Sequence, residues 1–156
     1  MQSGGNVSVR AVFLTEYGKV LLMKVAGEQE SLWIMPGGRI RAGEDAQTAL
    51  AREIGEETGL PDFRVESEVW IRHGSFVRKG ERHEEVERFF LIPTERFEPS
   101  IEGMEDAEKK RFRRYEWWNI GDIVDSDETF VPRRLGRLLL KLHAGDVPPK
   151  PVETGE

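Results

Sequence analysis

Two short apolar runs open the chain, at residues 7–14 and 20–26, and a polar tetrapeptide, Glu16–Tyr17–Gly18–Lys19, separates them. The pattern predicts a pair of strands joined as a hairpin. A third apolar segment, residues 32–35, stops at Pro36–Gly37–Gly38, where the chain must turn or loop. Asp45 is a good helix N-cap and Gly59 a good left-handed C-cap, so a helix is predicted over residues 46–58. Residues 63–76 and 86–92 read as further strands around a polar loop at 78–84, and residues 113–118 as a shorter one. From Pro132 a last helix places Leu135, Leu138, Leu139 and Leu142 at helical spacing. Strands before and after a central helix, with a second helix late in the chain, predict an α/β layered domain. A length of 156 residues suits one such domain, expected over residues 1–145. Residues 146–156, with Pro148, Pro149 and Pro151 among polar neighbours, are expected to form a disordered tail.

The central helix carries an unusual stripe. At about 100° per residue, Ala46, Ala49 and Leu50 form an apolar side that should pack on a sheet. The same side then continues with Glu53 and Glu57, and Glu56 lies beside them. A helix built only to pack would continue with leucine or alanine. Glu53 and Glu57 are a like-charge pair one turn apart, costing roughly 0.2–0.5 kcal/mol. Anions near a helix C-terminus cost roughly 0.3–1 kcal/mol apiece against the macrodipole. Arg52 relieves part of this as the i,i+4 neighbour of Glu56. Bound divalent cations would offset the remainder, and an all-carboxylate set favours Mg²⁺ or Mn²⁺ over zinc.

The preceding loop completes the pattern. From Gly38 the chain runs five residues to Glu44, seven more to Arg52, and then Arg52–Glu53–Ile54–Gly55–Glu56–Glu57–Thr58–Gly59–Leu60. This resembles in full the signature of the Nudix (MutT-like) hydrolase family, G-x5-E-x7-R-E-U-x-E-E-x-G-U, with Ile54 and Leu60 at the aliphatic positions U. The segment Leu32–Trp33–Ile34–Met35–Pro36–Gly37–Gly38 also resembles the family's lead-in to that box. The resemblance implies an α/β/α sandwich with a mixed sheet. It also implies hydrolysis of a nucleoside diphosphate linked to another moiety. Gly37 and Gly38 let backbone approach a metal or phosphate closely, and the family likeness suggests a main-chain carbonyl there as a further metal ligand. Glu44 is expected to tie the loop to the helix, and Arg52 to orient a neighbouring glutamate. Glu53, Glu56 and Glu57 are the expected metal ligands. Glu53 is also the first choice of general base, although family members differ in which glutamate serves. The catalytic set is thus Glu53, Arg52 and Glu56.

Outside the box, family members often recruit another acidic ligand. Glu105 or Glu108 is expected to supply it here, from the acidic stretch that also holds Glu102 and Asp106; Glu87 is another acid, set in an apolar strand. Trp33, Phe76 and Trp117 are candidates for stacking on a base, with Arg78 as a phosphate contact. Trp117 and Trp118, adjacent on a strand, should point to opposite faces.

Charge and composition then narrow the function. Lys plus Arg total 23 against 29 for Asp plus Glu, a formal net charge of −6 that argues against nonspecific binding of duplex DNA or other polyanions. Absence of cysteine excludes disulfides, thiolate catalysis and cysteine-ligated metals. No apolar run approaches a membrane span of about 20 residues, and residues 1–6 show no signal-peptide pattern. A soluble cytoplasmic monomer or homodimer is expected. The leading expectation is a metal-dependent nucleoside triphosphate pyrophosphohydrolase. The alternatives are a hydrolase of ADP-ribose, nucleotide sugars, dinucleoside polyphosphates or capped RNA, and a non-catalytic ligand- or RNA-binding module. The intact Arg52, Glu53, Glu56 and Glu57 speak against the last.

Overall fold

A computed structural model of the protein describes residues 6–156; the stretch read for a signal peptide lies, apart from Asn6, outside the described residues. The first strands are β1 (Val7–Leu14), β2 (Lys19–Ala26), β3 (Ser31–Ile34) and β4 (Gly37–Arg39). Helix α1 (Ala46–Thr58) follows, then the long hairpin β5 (Ser67–Arg78) and β6 (Glu81–Pro93). The chain continues through α2 (Asp106–Arg111), β7 (Phe112–Asn119), α3 (Ile120–Asp125), α4 (Leu135–His143) and β8 (Val152–Glu153).

The sheet is mixed. β1 runs parallel to β6 along its whole length, whereas β2 is antiparallel to both β3 and β7. β1 and β2 pair only at Leu14–Val20, next to their turn, and then separate. Farther along, β1 takes β4 as its antiparallel partner, with Arg10 opposite Gly37. This exchange of partners brings the Gly37–Gly38 backbone into the gap between the strands.

Alternation along the strands divides the core into two layers. Val12, Leu14, Val20 and Leu22 face one side, where Leu135, Leu139 and Leu142 of α4 cover them. Val9, Ala11, Phe13 and Leu21 face the other, under Ala49, Leu50 and Ile54 of α1. The result is the expected α/β/α sandwich. Trp117 and Trp118 do face opposite layers, Trp117 packing on Phe97 and Trp118 on Trp33 and Phe130.

Four local expectations change. The polar loop at 78–84 is instead the end of the β5–β6 ladder, which pairs Arg78 with Glu81 and Val77 with Arg82 around Lys79–Gly80. Residues 63–66 do not join β5, which begins at Ser67. The acidic stretch before β7, for which no element is predicted, contains α2, whose Asp106 and Glu108 at the start and Lys109, Lys110 and Arg111 at the end complement the helix dipole. Finally, the tail is ordered against the sheet. β8 runs parallel to β5, Thr154 N–H donates to the Ile71 carbonyl at 3.1 Å, and Arg133 N–H donates to the Glu156 carbonyl at 3.1 Å. Unpaired backbone on the β5 edge and the chain just before α4 supply these partners, and local composition carries no trace of them. No helix of the described residues is long and apolar enough to cross a membrane.

Candidate active site

Helix α1 begins and ends as its caps predict. The Asp45 carboxylate accepts from Thr48 N–H at 2.8 Å, and Gly59 closes the helix at φ 76°. Its buried side consists of Ala49, Leu50, Glu53, Ile54, Glu57 and Thr58. The acidic continuation of the stripe is therefore real: Glu57 is 2% exposed and Glu53 7%.

Arg52 gathers the carboxylates. Its guanidinium donates to Glu44 from Nε and Nη2, both at 2.8 Å, and to Glu53 from Nη1 at 2.8 Å. Glu56 lies farther, at 3.4 Å, and the Arg39 carbonyl accepts from Nη2 at 3.0 Å. Glu44 also accepts from Arg41 N–H at 2.9 Å, which ties the loop to the helix as expected. The Arg52 bond and then the Arg41 amide hold Glu44 well below the usual carboxylate range, at about 2.

Gly37 and Gly38 shape the opposing wall. Gly37 has φ 149°, and a Cβ there would overlap the Val9 carbonyl. Its N–H donates to Glu57 Oε1 at 2.9 Å in a buried bond. A side chain at Gly38 would occupy the space of the Glu53 carboxyl. Gly37 is thus required by close approach of backbone, whereas a Cβ at Gly38 would oblige the Glu53 carboxyl to move.

Tertiary contacts decide which distant acid joins. Oxygens of Glu53, Glu57 and Glu108 lie within 4.8 Å of one another. Glu105 is not in this cluster; it is exposed and pairs with Arg41 at 3.3 Å. Glu105 is the N-cap of α2 and has extended backbone, whereas Glu108 lies within the helix, so the usual i,i+3 sharing of a face does not apply to this pair. Burial pushes up the pKa of Glu53 against the opposing pull of Arg52. Burial, and then the neighbouring Glu108 carboxyl, push Glu57 up to about 9. Two buried oxygens, Glu53 Oε2 and Glu56 Oε2, have no hydrogen-bond partner among the described residues. Orphaned carboxylate oxygens beside a three-carboxylate cluster fit a hard divalent cation.

A second set of charges adjoins the cluster. Arg10 Nε donates to Glu87 at 2.8 Å and Nη1 to the Met35 carbonyl at 3.3 Å, while Arg72 Nε donates to the other oxygen of Glu87 at 2.7 Å. Burial works against the Arg10 charge, but Glu87, Glu57 and Glu53 outweigh it and raise its pKa. Burial would likewise lift Glu87, yet Arg10 and Arg72 hold it below its ordinary value. In sequence Glu87 is only a lone acid in an apolar strand, and nothing there pairs it with Arg10. The available signal was a lone arginine within the apolar run of β1.

The aromatic candidates separate. Trp33 is corrected to a core residue: its ring is 1% exposed, packs edge-on to Trp118 at 5.2 Å, and its Nε1–H donates to Glu128 at 2.8 Å. It has no free face for a base. Phe76 stacks on His83 across the β5–β6 hairpin, with Arg78 over its ring at 5.3 Å. These three side chains satisfy one another near the hairpin tip. Trp117 is half-buried, its Nε1–H bonded to the Phe97 carbonyl at 2.9 Å. It lines a cleft of about 540 Å³ together with Arg96, Ile101, Phe112, Arg113 and Tyr115. Tyr115 donates to the Glu57 carbonyl at 2.6 Å, so this cleft adjoins the end of α1.

Comparison with known proteins places this geometry among relatives. The profile of the NUDIX domain family matches residues 5–139. An RNA pyrophosphohydrolase of Marinomonas sp. is 25% identical over 154 residues, covering 90% of this chain and 94% of that protein. Nucleoside triphosphatase NudI of Escherichia coli is 29% identical over 127 residues, or 78% of this chain and 87% of that protein. The human 8-oxo-dGDP phosphatase NUDT18 is 45% identical, but over only 53 residues, 33% of this chain and 16% of that protein. In structure, the NUDIX domain of Shewanella oneidensis NrtR, solved with ADP ribose, aligns with a TM-score of 0.65 and 18% identity over 90% of each chain.

Proposed function

The chain belongs to the NUDIX domain family and is a Nudix hydrolase, and from that premise we propose that it is a divalent-metal-dependent pyrophosphohydrolase of free nucleoside triphosphates. The observation that carries the metal dependence is the cluster of Glu53, Glu57 and Glu108 with the unpartnered Glu53 and Glu56 oxygens beside it. Mg²⁺ or Mn²⁺ would be held by Glu53, Glu56, Glu57 and Glu108, with a main-chain carbonyl at Gly37 or Gly38. When bound, such a cation neutralises phosphate oxygens and acidifies a water.

The protein's own groups do the rest. Arg52 locks Glu53 in place through a charge-assisted bond, so its free oxygen keeps one direction. Burial lifts the proton affinity of Glu53 toward the range useful to a general base, and Glu53 is proposed to remove the water's proton. Gly37 N–H holds the second carboxylate, Glu57, from the other wall. Trp117 with Phe112 and Tyr115 forms the surface proposed to receive the nucleoside, flanked by Arg96 and Arg113. Likeness to a nucleoside triphosphatase over 78% of the chain supports a free nucleotide as substrate. A triphosphorylated RNA end is the second reading, favoured by likeness to RNA pyrophosphohydrolases over 90% of the chain.

One screen tests the proposal. Purified protein with Mg²⁺ or Mn²⁺ is offered nucleoside triphosphates, ADP-ribose, nucleotide sugars, dinucleoside polyphosphates, capped RNA and 5′-triphosphate RNA, and the products are identified. Free triphosphates should be the best substrates, releasing pyrophosphate, with turnover abolished by EDTA. Preference for RNA ends selects the second reading. Turnover undiminished by EDTA, or near-normal kcat in both Glu53→Gln and Glu57→Gln, sinks the metal assignment.

A further inference from the structure

A continuous polar chain leads from the β5–β6 hairpin to the carboxylate cluster. Arg72 bonds Glu87 at 2.7 Å and Glu85 at 2.9 Å. Glu87 bonds Arg10 at 2.8 Å, and Arg10 bonds the Met35 carbonyl at 3.3 Å. Two residues on, Gly37 N–H grips Glu57 at 2.9 Å. Ala11 N–H donates to the intervening Pro36 carbonyl at 2.8 Å, so β1 holds this turn from two adjacent positions. Glu87 is 6% exposed, and Gly74 leaves the space that the Arg72 guanidinium fills.

Buried charges of this kind do not pack a core cheaply. Apolar residues of similar volume would often serve stability as well or better. The couple also spans sequence separations of 77 and 15 residues, joining three strands to the Met35 carbonyl, two residues before Gly37. We propose that the Arg72–Glu87–Arg10 couple is a positioning device for the metal site: it pins the Met35 carbonyl, and through it the Gly37 amide that orients Glu57. This rests on the metal-site reading above. Arg10 and Glu87 touch neither the reacting groups nor the cation; they act through Gly37.

Electrostatics gives the test its sign. Arg10 is a cation close to Glu57 and Glu53, so if it acted only as a charge, removing it would tighten divalent-cation binding. As a positioning residue, its removal must weaken binding instead. Mn²⁺ affinity is measured without substrate, by calorimetry or electron paramagnetic resonance, for wild type, Arg10→Gln and the isosteric Glu87→Gln. Arg88→Gln, which breaks the comparable Arg88–Glu68 pair of the same hairpin, serves as control. Hydrogen exchange of the Gly37 amide is followed in metal-free protein. Expected are a loss of Mn²⁺ affinity of about 10- to 100-fold in both variants, faster Gly37 exchange, and neither change in Arg88→Gln. Unchanged or tighter Mn²⁺ binding in Arg10→Gln with unchanged Gly37 exchange overturns the proposal; if Arg10→Gln does not fold, Gly37 exchange in Glu87→Gln decides it, because loss of that anion would by itself weaken Mn²⁺ binding. Absence of Mn²⁺ binding to wild type would overturn the metal-site reading instead, and Gly37 exchange would still decide whether the couple pins the turn.

Discussion

Replacement of Glu57 by glutamine should stabilise the metal-free protein while destroying its response to metal. In the unfolded chain this carboxyl ionises near 4.5, whereas burial and the adjacent Glu108 keep the folded form protonated up to about 9. Between those values the unfolded chain binds fewer protons, so stability falls as pH rises through the window. Each pH unit costs up to about 1.4 kcal/mol, and the 2.5 units from 4.5 to pH 7 therefore set a ceiling of about 3 kcal/mol. Glutamine mimics the protonated acid: its carbonyl oxygen can accept from Gly37 N–H and its amide can donate to Glu108. It carries none of the ionisation cost. For a chain of this length 1 kcal/mol corresponds to about 2–4 °C in Tm, so the variant should gain several degrees at pH 7–8 in EDTA. At pH 5 the gain should nearly vanish.

Magnesium reverses the order. At about 100 times its Kd, Mg²⁺ should raise wild-type stability by about 2.7 kcal/mol. Glu57→Gln, short of one ligand, should show little of that shift. Thermal unfolding of both proteins at pH 5 and pH 8, with EDTA and with Mg²⁺, measures all of these differences. A variant destabilised equally at both pH values, or stabilised by Mg²⁺ as strongly as wild type, would refute the reasoning.

Gly38→Ala should displace the Glu53 carboxyl, whose space its Cβ would claim; kcat should fall by about 100-fold, and a near-normal kcat would show that Glu53 needs no fixed seat. Arg52→Ala leaves Glu44 and Glu53 without their common partner and should lower the urea unfolding midpoint; an unchanged midpoint would demote the hub to surface pairing. Trp33→Phe should lower Tm through the lost Glu128 bond and core contacts while leaving KM unchanged; a raised KM at unchanged Tm would return Trp33 to the substrate surface.

Whatever rests on local spacing was legible in the chain before it folds. The caps Asp45 and Gly59, the acidic stripe Glu53–Glu57 and the loop glutamate Glu44 lie within two dozen residues, where helical geometry converts sequence distance into spatial distance. Fold class was also legible, because apolar runs and two helices with apolar stripes leave few ways to bury both faces of a sheet. Tertiary structure alone decided the rest. Glu108 joins the cluster, whereas Glu105, at the extended N-cap of α2, pairs with Arg41 instead. Trp33 faces the core because β3 pairs with β2 on one side and meets Phe130 on the other. β8 forms on an edge that only the assembled sheet exposes. The Arg10–Glu87 bond crosses 77 residues of chain. A charge in an apolar strand can be noticed in sequence, but its partner is chosen by strand order and register, which depend on the whole molecule.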